Sequence, residues 1–171
     1  MIPDKSDEGH DKLMIIFSER LDRITRFVEN SKISILHSPL SSGKSALEQY
    51  LWEYFNNHNY DSIYISLAGI NGTQALNDKS LFESFWTIEV GFSWKKINEC
   101  KNATFVFIDE IQIIYGDRAS FFWSKVKQLM SNSGNQNLKI LFLSTYHPIL
   151  SDQLIPVQFK YTLSLNNLLL N

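Results

Sequence analysis

Two rhythms of apolar residues alternate along this chain. One consists of short runs: Ile33-Ser34-Ile35-Leu36, Ile63-Tyr64-Ile65, Phe105-Val106-Phe107-Ile108 and Ile140-Leu141-Phe142-Leu143. They are rich in β-branched and aromatic side chains, which predicts strands. The last two have no polar interruption, as expected of strands buried on both faces of a parallel sheet. The other rhythm repeats every three or four residues and predicts helices. It carries Leu21, Ile24, Phe27 and Val28, then Leu47, Tyr50, Leu51, Tyr54 and Phe55. Leu81, Phe82, Phe85 and Trp86 follow, and later Phe121, Phe122, Val126, Leu129 and Met130. Strand and helix patterns taken in turn predict an α/β fold. Phe159, Tyr161, Leu163 and Leu165 alternate with polar residues; this last strand brings the predicted sheet to about five.

The connecting stretches are polar or carry turn residues. Met1 to Lys12 holds four acidic residues and reads as a loose tail, residues 1–12, before a single domain over 13–171. Leu13 to Phe17 reads as an apolar lead-in, and Ser18 as the N-cap of the first helix. Gly69 to Asp78, with Asn71-Gly72, reads as a loop, Trp94 and Ile97 as a short helix, and Gly116-Asp117 as a turn. The aromatics between Phe82 and Trp94 lack interleaved basic residues, so core packing is preferred to a base-stacking surface.

The most informative stretch joins the first strand to the helix after it. Ser38-Pro39-Leu40-Ser41-Ser42-Gly43-Lys44-Ser45 has the spacing of a Walker A phosphate loop, with Ser38 in place of its first glycine. In such a loop backbone N–H groups ring the phosphates and the positive helix end faces them. Pro39 has no N–H, so the donors run from Leu40 through Ser41, Ser42, Gly43, Lys44 and Ser45 to Ala46. The Lys44 ammonium adds a point charge, and the Ser45 hydroxyl is a ligand for Mg²⁺. Farther on, Asp109 and Glu110 end a buried strand, where ligands bind in open parallel sheets. In this Walker B pattern Asp109 holds Mg²⁺ opposite Ser45, and Glu110 orients and deprotonates a water. The next strand ends in Ser144-Thr145, which sets Thr145 to touch the γ-phosphate or that water. The candidate catalytic residues are therefore Glu110 and Lys44, the metal ligands Ser45 and Asp109, and the cofactors ATP and Mg²⁺.

Composition narrows the alternatives. A chain of 171 residues, 44% apolar, supplies one full core. A net charge of −2 with only Arg20, Arg23, Arg26 and Arg118 argues against a nucleic-acid-coating protein. Cys100 is the sole cysteine, and His10, His37, His58 and His147 show no ligand spacing, so no protein-ligated structural metal is expected. No apolar run approaches about 18 residues and the amino terminus resembles no targeting peptide, which predicts a soluble intracellular chain. Leu168-Leu169-Leu170 predicts a protein partner or a following segment.

These motifs in this order resemble the ASCE division of P-loop NTPases, which includes AAA+ and STAND ATPases. The resemblance implies a three-layer fold with strand order 5-1-4-3-2, the 138–143 strand lying between the phosphate-loop strand and the acid-bearing one. Phe17-Ser18-Glu19-Arg20 looks like the division's Phe-x-Gly-Arg lead-in, with Glu19 for Gly, and places Phe17 and Arg20 near a base. More narrowly, Ser-Pro-x-x-Ser-Gly-Lys-Ser, Ile-Asp-Glu-Ile-Gln-x-Ile-Tyr and Phe-Phe-Trp-Ser-x-Val-Lys resemble the NTPase module of Crinkler-type proteins. Host-cell delivery follows only from that narrower likeness. The resemblance assigns phosphates and Mg²⁺ to Gly43, Lys44 and Ser45, the metal acid to Asp109 and the base to Glu110. It also sets the end of this chain before any helical lid, and no arginine finger is identifiable. ATP hydrolysis is the leading expectation, and a nucleotide-gated switch or scaffold with little turnover is the alternative. A small-molecule kinase ranks third, because Asp109 and Glu110 are adjacent and no arginine-rich lid follows.

Overall fold

The computed structural model describes residues 6–38, 44–69, 74–132, 136–145 and 155–164. In chain order these form α1 (Ser6–Asn30), β1 (Ile33–Ser38), α2 (Lys44–Asn57), β2 (Asp61–Ser66), α3 (Gln74–Asn77) and α4 (Lys79–Val90). Then come β3 (Thr104–Asp109), α5 (Ser120–Ser131), β4 (Leu138–Thr145) and β5 (Tyr161–Ser164). The strands make one parallel sheet of five in the order β2-β3-β4-β1-β5. As expected, β4 separates β1 from β3. The register pairs Ser66 with Asp109 and Ser38 with Thr145, which gathers polar residues along one edge, the carboxyl ends of the strands.

Side-chain alternation along each strand divides the core in two. Ile33, Ile35, Val106, Ile108, Ile140 and Phe142 face a layer built from α3, α4 and α5, where they meet Leu76, Phe82, Trp86, Phe122, Trp123 and Val126. Leu36, Phe105, Phe107, Leu141 and Leu143 face α1 and α2, against Leu21, Ile24, Leu47, Leu51 and Phe55. The unbroken apolar runs of β3 and β4 follow from this: helices cover both faces, so neither face can be polar. Each large side chain so buried contributes about 1.5–3 kcal/mol. The aromatics of α4 belong to this core, with Phe82 and Trp86 fully buried and Trp94 set edge-on to both. Asp78 caps α4 by accepting from the N–H groups of Ser80 and Leu81, and Gly91 ends it at φ 83°, a left-handed turn that glycine makes without steric cost.

Three local expectations differ from the structure. The first helix begins at Ser6, inside the stretch read as a tail, and Ser18 lies within it rather than capping it. No proline interrupts residues 6–30, so backbone hydrogen bonding carries the helix through the apolar block before Ser18. The loop read over Gly69 to Asp78 contains α3, fixed by Leu76, which is fully buried. The last strand is shorter than its alternation suggested. Phe159 precedes β5 and packs on Phe142 at 5.5 Å between ring centroids, and Leu163 packs against the opposite cluster. Leu165 lies outside the described residues.

Candidate functional site

Lys44 opens α2 just past the carboxyl end of β1, so its side chain starts beside the polar edge of the sheet. Its Nζ donates to Asp109 Oδ1 and to Glu110 Oε1, both at 2.5 Å, and lies 3.7 Å from Glu48 Oε1. Asp109 ends β3 with its side chain only 8% exposed. Its Oδ1 also accepts the Glu110 N–H at 2.6 Å, and its Oδ2 accepts the Tyr64 hydroxyl at 3.0 Å. Tyr64 reaches this point from β2, and its hydroxyl lies 3.1 Å from Glu48 Oε2 as well. One phenol proton cannot serve two ionised carboxylates at once.

Electrostatics resolve that conflict. Burial, followed by the Asp109 charge, raises the Glu48 carboxyl to about 7, with Lys44 and Tyr64 acting in the opposite direction. Near neutral pH Glu48 therefore carries a proton part of the time, and can then donate to Tyr64 while Tyr64 donates to Asp109. Burial and the same two acids raise the Tyr64 phenol, keeping it a donor. For Lys44, burial alone lowers the ammonium, but hydrogen bonds to Asp109 and Glu110 outweigh it and leave the group raised. Lys44 is charged, and it offsets part of the negative charge of the three acids it faces.

Glu110 follows β3 in the left-handed region, φ 59° and ψ 35°. For a residue with a Cβ this conformation costs of the order of 1–3 kcal/mol and persists where the surroundings enforce it. The enforcing contacts are visible. After it, Ile111 and Ile114 are fully buried, and the Trp123 indole N–H donates to the Ile114 carbonyl at 2.8 Å. Between these anchors Gln112 donates from Nε2 to Glu110 Oε2, and its Oε1 accepts the Thr145 N–H at 3.1 Å. Tyr115 adds a hydroxyl contact of 2.7 Å to Ser144.

The structure thus brings Lys44, Asp109 and Glu110 into direct contact and links Thr145 to Glu110 through Gln112. Leu40, Ser41, Ser42 and Gly43 lie outside the described residues, as do the side chains of Phe17 and Ser45; Ala46 is exposed in the first turn of α2. Glu48, Tyr64 and Gln112 were not singled out from sequence. Glu48 could have been, because it stands four residues after Lys44 on one helix face. Tyr64 and Gln112 depend on strand register and on a left-handed residue, which leave no spacing signal. An open cleft of about 330 Å³, lined by Glu48, Gln49, Trp52 and Tyr64, reaches Glu48 and Tyr64 from the β2 edge. A larger cavity of about 580 Å³ beside Ile35, His37 and Phe159 contains none of them, so size does not mark the site.

Among the described residues no three His, Cys, Asp or Glu side chains form a metal-binding group. The donor set suits Mg²⁺ nonetheless, since that ion usually takes one or two carboxylates plus phosphate oxygens and water. The focus of the three acids already attracts a cation, and Glu48 Oε1 is buried without a hydrogen-bond partner. Among the described residues the Asp109 carboxylate has the chemistry for that role.

A five-stranded parallel sheet in this order, between two helical layers, is the topology of AAA+-type P-loop NTPases. Similarities to solved structures bear this out. A chain of the HORMA:CdnC:Trip13 complex of E. coli MS115-1 superposes with a TM-score of 0.60 at 12% identity, over 95% of this chain and 67% of that one. The replication initiator DnaA bound to AMPPCP and single-stranded DNA gives a TM-score of 0.54 at 12% identity, over 85% and 44%. DnaA from Aquifex aeolicus with AMPPCP gives 0.51 at 14% identity over the same shares. At such identities the likeness is one of fold, and this chain spans two thirds of the first structure and under half of the other two. No family model and no curated protein matches the chain in sequence. The similar structures carry the resemblance at the level of fold and give no Crinkler-specific link.

Proposed function

We propose that this chain binds ATP with Mg²⁺ and hydrolyses it. The observation that carries this reading is the position of Lys44. It opens the helix after β1 and contacts both Asp109 and Glu110, at 2.5 Å each, across the carboxyl edge of an AAA+-type sheet. Lys44 pairs with both acids and offsets part of their charge. Phosphate oxygens compete for the same ammonium, and its transfer to them frees Asp109 to hold Mg²⁺ with Ser45. Bound Mg²⁺ supplies charge neutralisation at the β- and γ-phosphates. Glu110 Oε1, released by Lys44, is then available to take a proton from water attacking the γ-phosphorus. Leu40 to Ala46 donate N–H groups to the phosphates in this reading, and Thr145 lies by the attacked group.

A second reading is supported by Glu110 itself. Lys44 holds one of its oxygens and Gln112 the other, an arrangement suited to a nucleotide-gated switch with slow turnover. Phosphate release measured with and without Mg²⁺ separates the two. Mg²⁺-dependent release that Glu110→Gln abolishes supports hydrolysis; tight ATP binding without release supports the switch. A protein partner or a following domain is part of the proposal, and the similar chain of the HORMA:CdnC:Trip13 structure is itself a member of a complex. Among the described residues no helix is long and apolar enough to cross a membrane. Crinkler-type delivery to a host cell is left without support.

A further inference from the structure

Gln112 joins the acid after β3 to the end of β4. Its orientation is set by chemistry: the Thr145 N–H can only donate, so the amide oxygen must face Thr145 and the amide nitrogen must face Glu110. The residue cannot swing freely, because Ile111 and Ile114 on either side are buried and Trp123 holds the Ile114 carbonyl. The two oxygens of Glu110 are therefore held differently. Oε2 is held by a fixed amide, whereas Oε1 is held by Lys44, a flexible ammonium that phosphate can draw away.

We infer that Gln112 is a positioning residue. It clamps Glu110 Oε2 to the end of β4, so that departure of Lys44 exposes Oε1 alone, aimed beside Thr145. This rests on the ATPase reading above and adds the element that decides which oxygen acts and where it points. It also ties the base to the strand expected to sense the γ-phosphate, so a shift of Thr145 is transmitted to Glu110 through a single amide.

Two substitutions separate positioning from simple stitching. Gln112→Met keeps the length and loses both hydrogen bonds. Gln112→Glu keeps an acceptor for Thr145 but sets a carboxylate against Glu110, and is assayed at about pH 8, well above ordinary carboxylate values. Amide hydrogen exchange of the nucleotide-free chain reads the tie directly. Thr145 should exchange roughly tenfold faster in Gln112→Met and at the wild-type rate in Gln112→Glu, with Leu141 and Leu143 unchanged in both. Phosphate release at saturating ATP and Mg²⁺ reads the positioning. Both variants should lose about 10–10²-fold in kcat with ATP affinity held within about twofold. A structural role confined to Thr145 would leave Gln112→Glu at full turnover, which overturns the inference, as does unchanged Thr145 exchange in Gln112→Met. A wild-type chain that binds ATP and releases no phosphate overturns the ATPase reading together with this role. Release in the wild type equalled by both variants overturns this role alone.

Discussion

Glu48 makes the nucleotide-free chain less stable as pH rises, and the size of the effect follows from its surroundings. Its side chain is 10% exposed, one oxygen lacks a hydrogen bond, and Asp109 adds negative charge. Its carboxyl titrates near 7 in the fold against 4.5 ordinarily. Between those values the folded state holds a proton that the unfolded state has released. Stability contributed by this group is therefore full below about pH 4.5 and is lost as pH climbs to about 7. At about 1.4 kcal/mol per pH unit the loss is roughly 2–3 kcal/mol, the lower part of the range allowing for access of solvent through the neighbouring cleft. Glu48→Gln keeps the shape and removes the charge. Urea denaturation of both proteins without nucleotide should find the variant more stable by about 1–3 kcal/mol near pH 8, with the decline between pH 5 and pH 7 largely gone. Parallel pH profiles, or a wild type more stable than the variant at pH 8, would refute the assignment of a destabilising buried charge to Glu48.

Other substitutions test the site and the core. Lys44→Ala should abolish ATP binding by calorimetry with Mg²⁺ present, since among the described residues it supplies the charge set beside the phosphate site; unchanged affinity rejects the phosphate-loop assignment. Glu110→Gln should bind ATP as the wild type does and lose about 10²–10⁴-fold in phosphate release, the usual worth of general-base assistance. Asp109→Asn should instead weaken binding in a way that added Mg²⁺ partly restores, because its loss falls on the metal site. Phe55→Ala should cost about 3–5 kcal/mol by denaturant titration, because Phe55 is fully buried and stacks on Phe105 at 3.9 Å between ring centroids.

Much of this protein was legible before folding was considered. Phe105 to Ile108 and Ile140 to Leu143 declare strands covered on both faces, because a helix on each side of a sheet leaves no place for polar residues. Gly43-Lys44-Ser45 and Asp109-Glu110 are legible for a related reason: each lies where a strand ends, and strand ends in a parallel sheet are brought to a common edge by topology alone. The alternation of strands and helices therefore placed Lys44, Asp109 and Glu110 together without any distance being known. The start of α1 was not legible, since the block Met14 to Phe17 breaks the helical period while the backbone continues through it. Nor were the partners of the acids. Tyr64 meets Asp109 because β2 pairs with β3 in a particular register. Gln112 meets Glu110 because Glu110 turns into the left-handed region while buried Ile111 and Ile114 hold the chain after it. Such contacts depend on rotamers, register and one unusual dihedral, none of which is written in residue spacing. The class of chemistry at the site is a local property of short motifs; which oxygen is held, which is free and which acid carries a proton is decided only when distant segments pack.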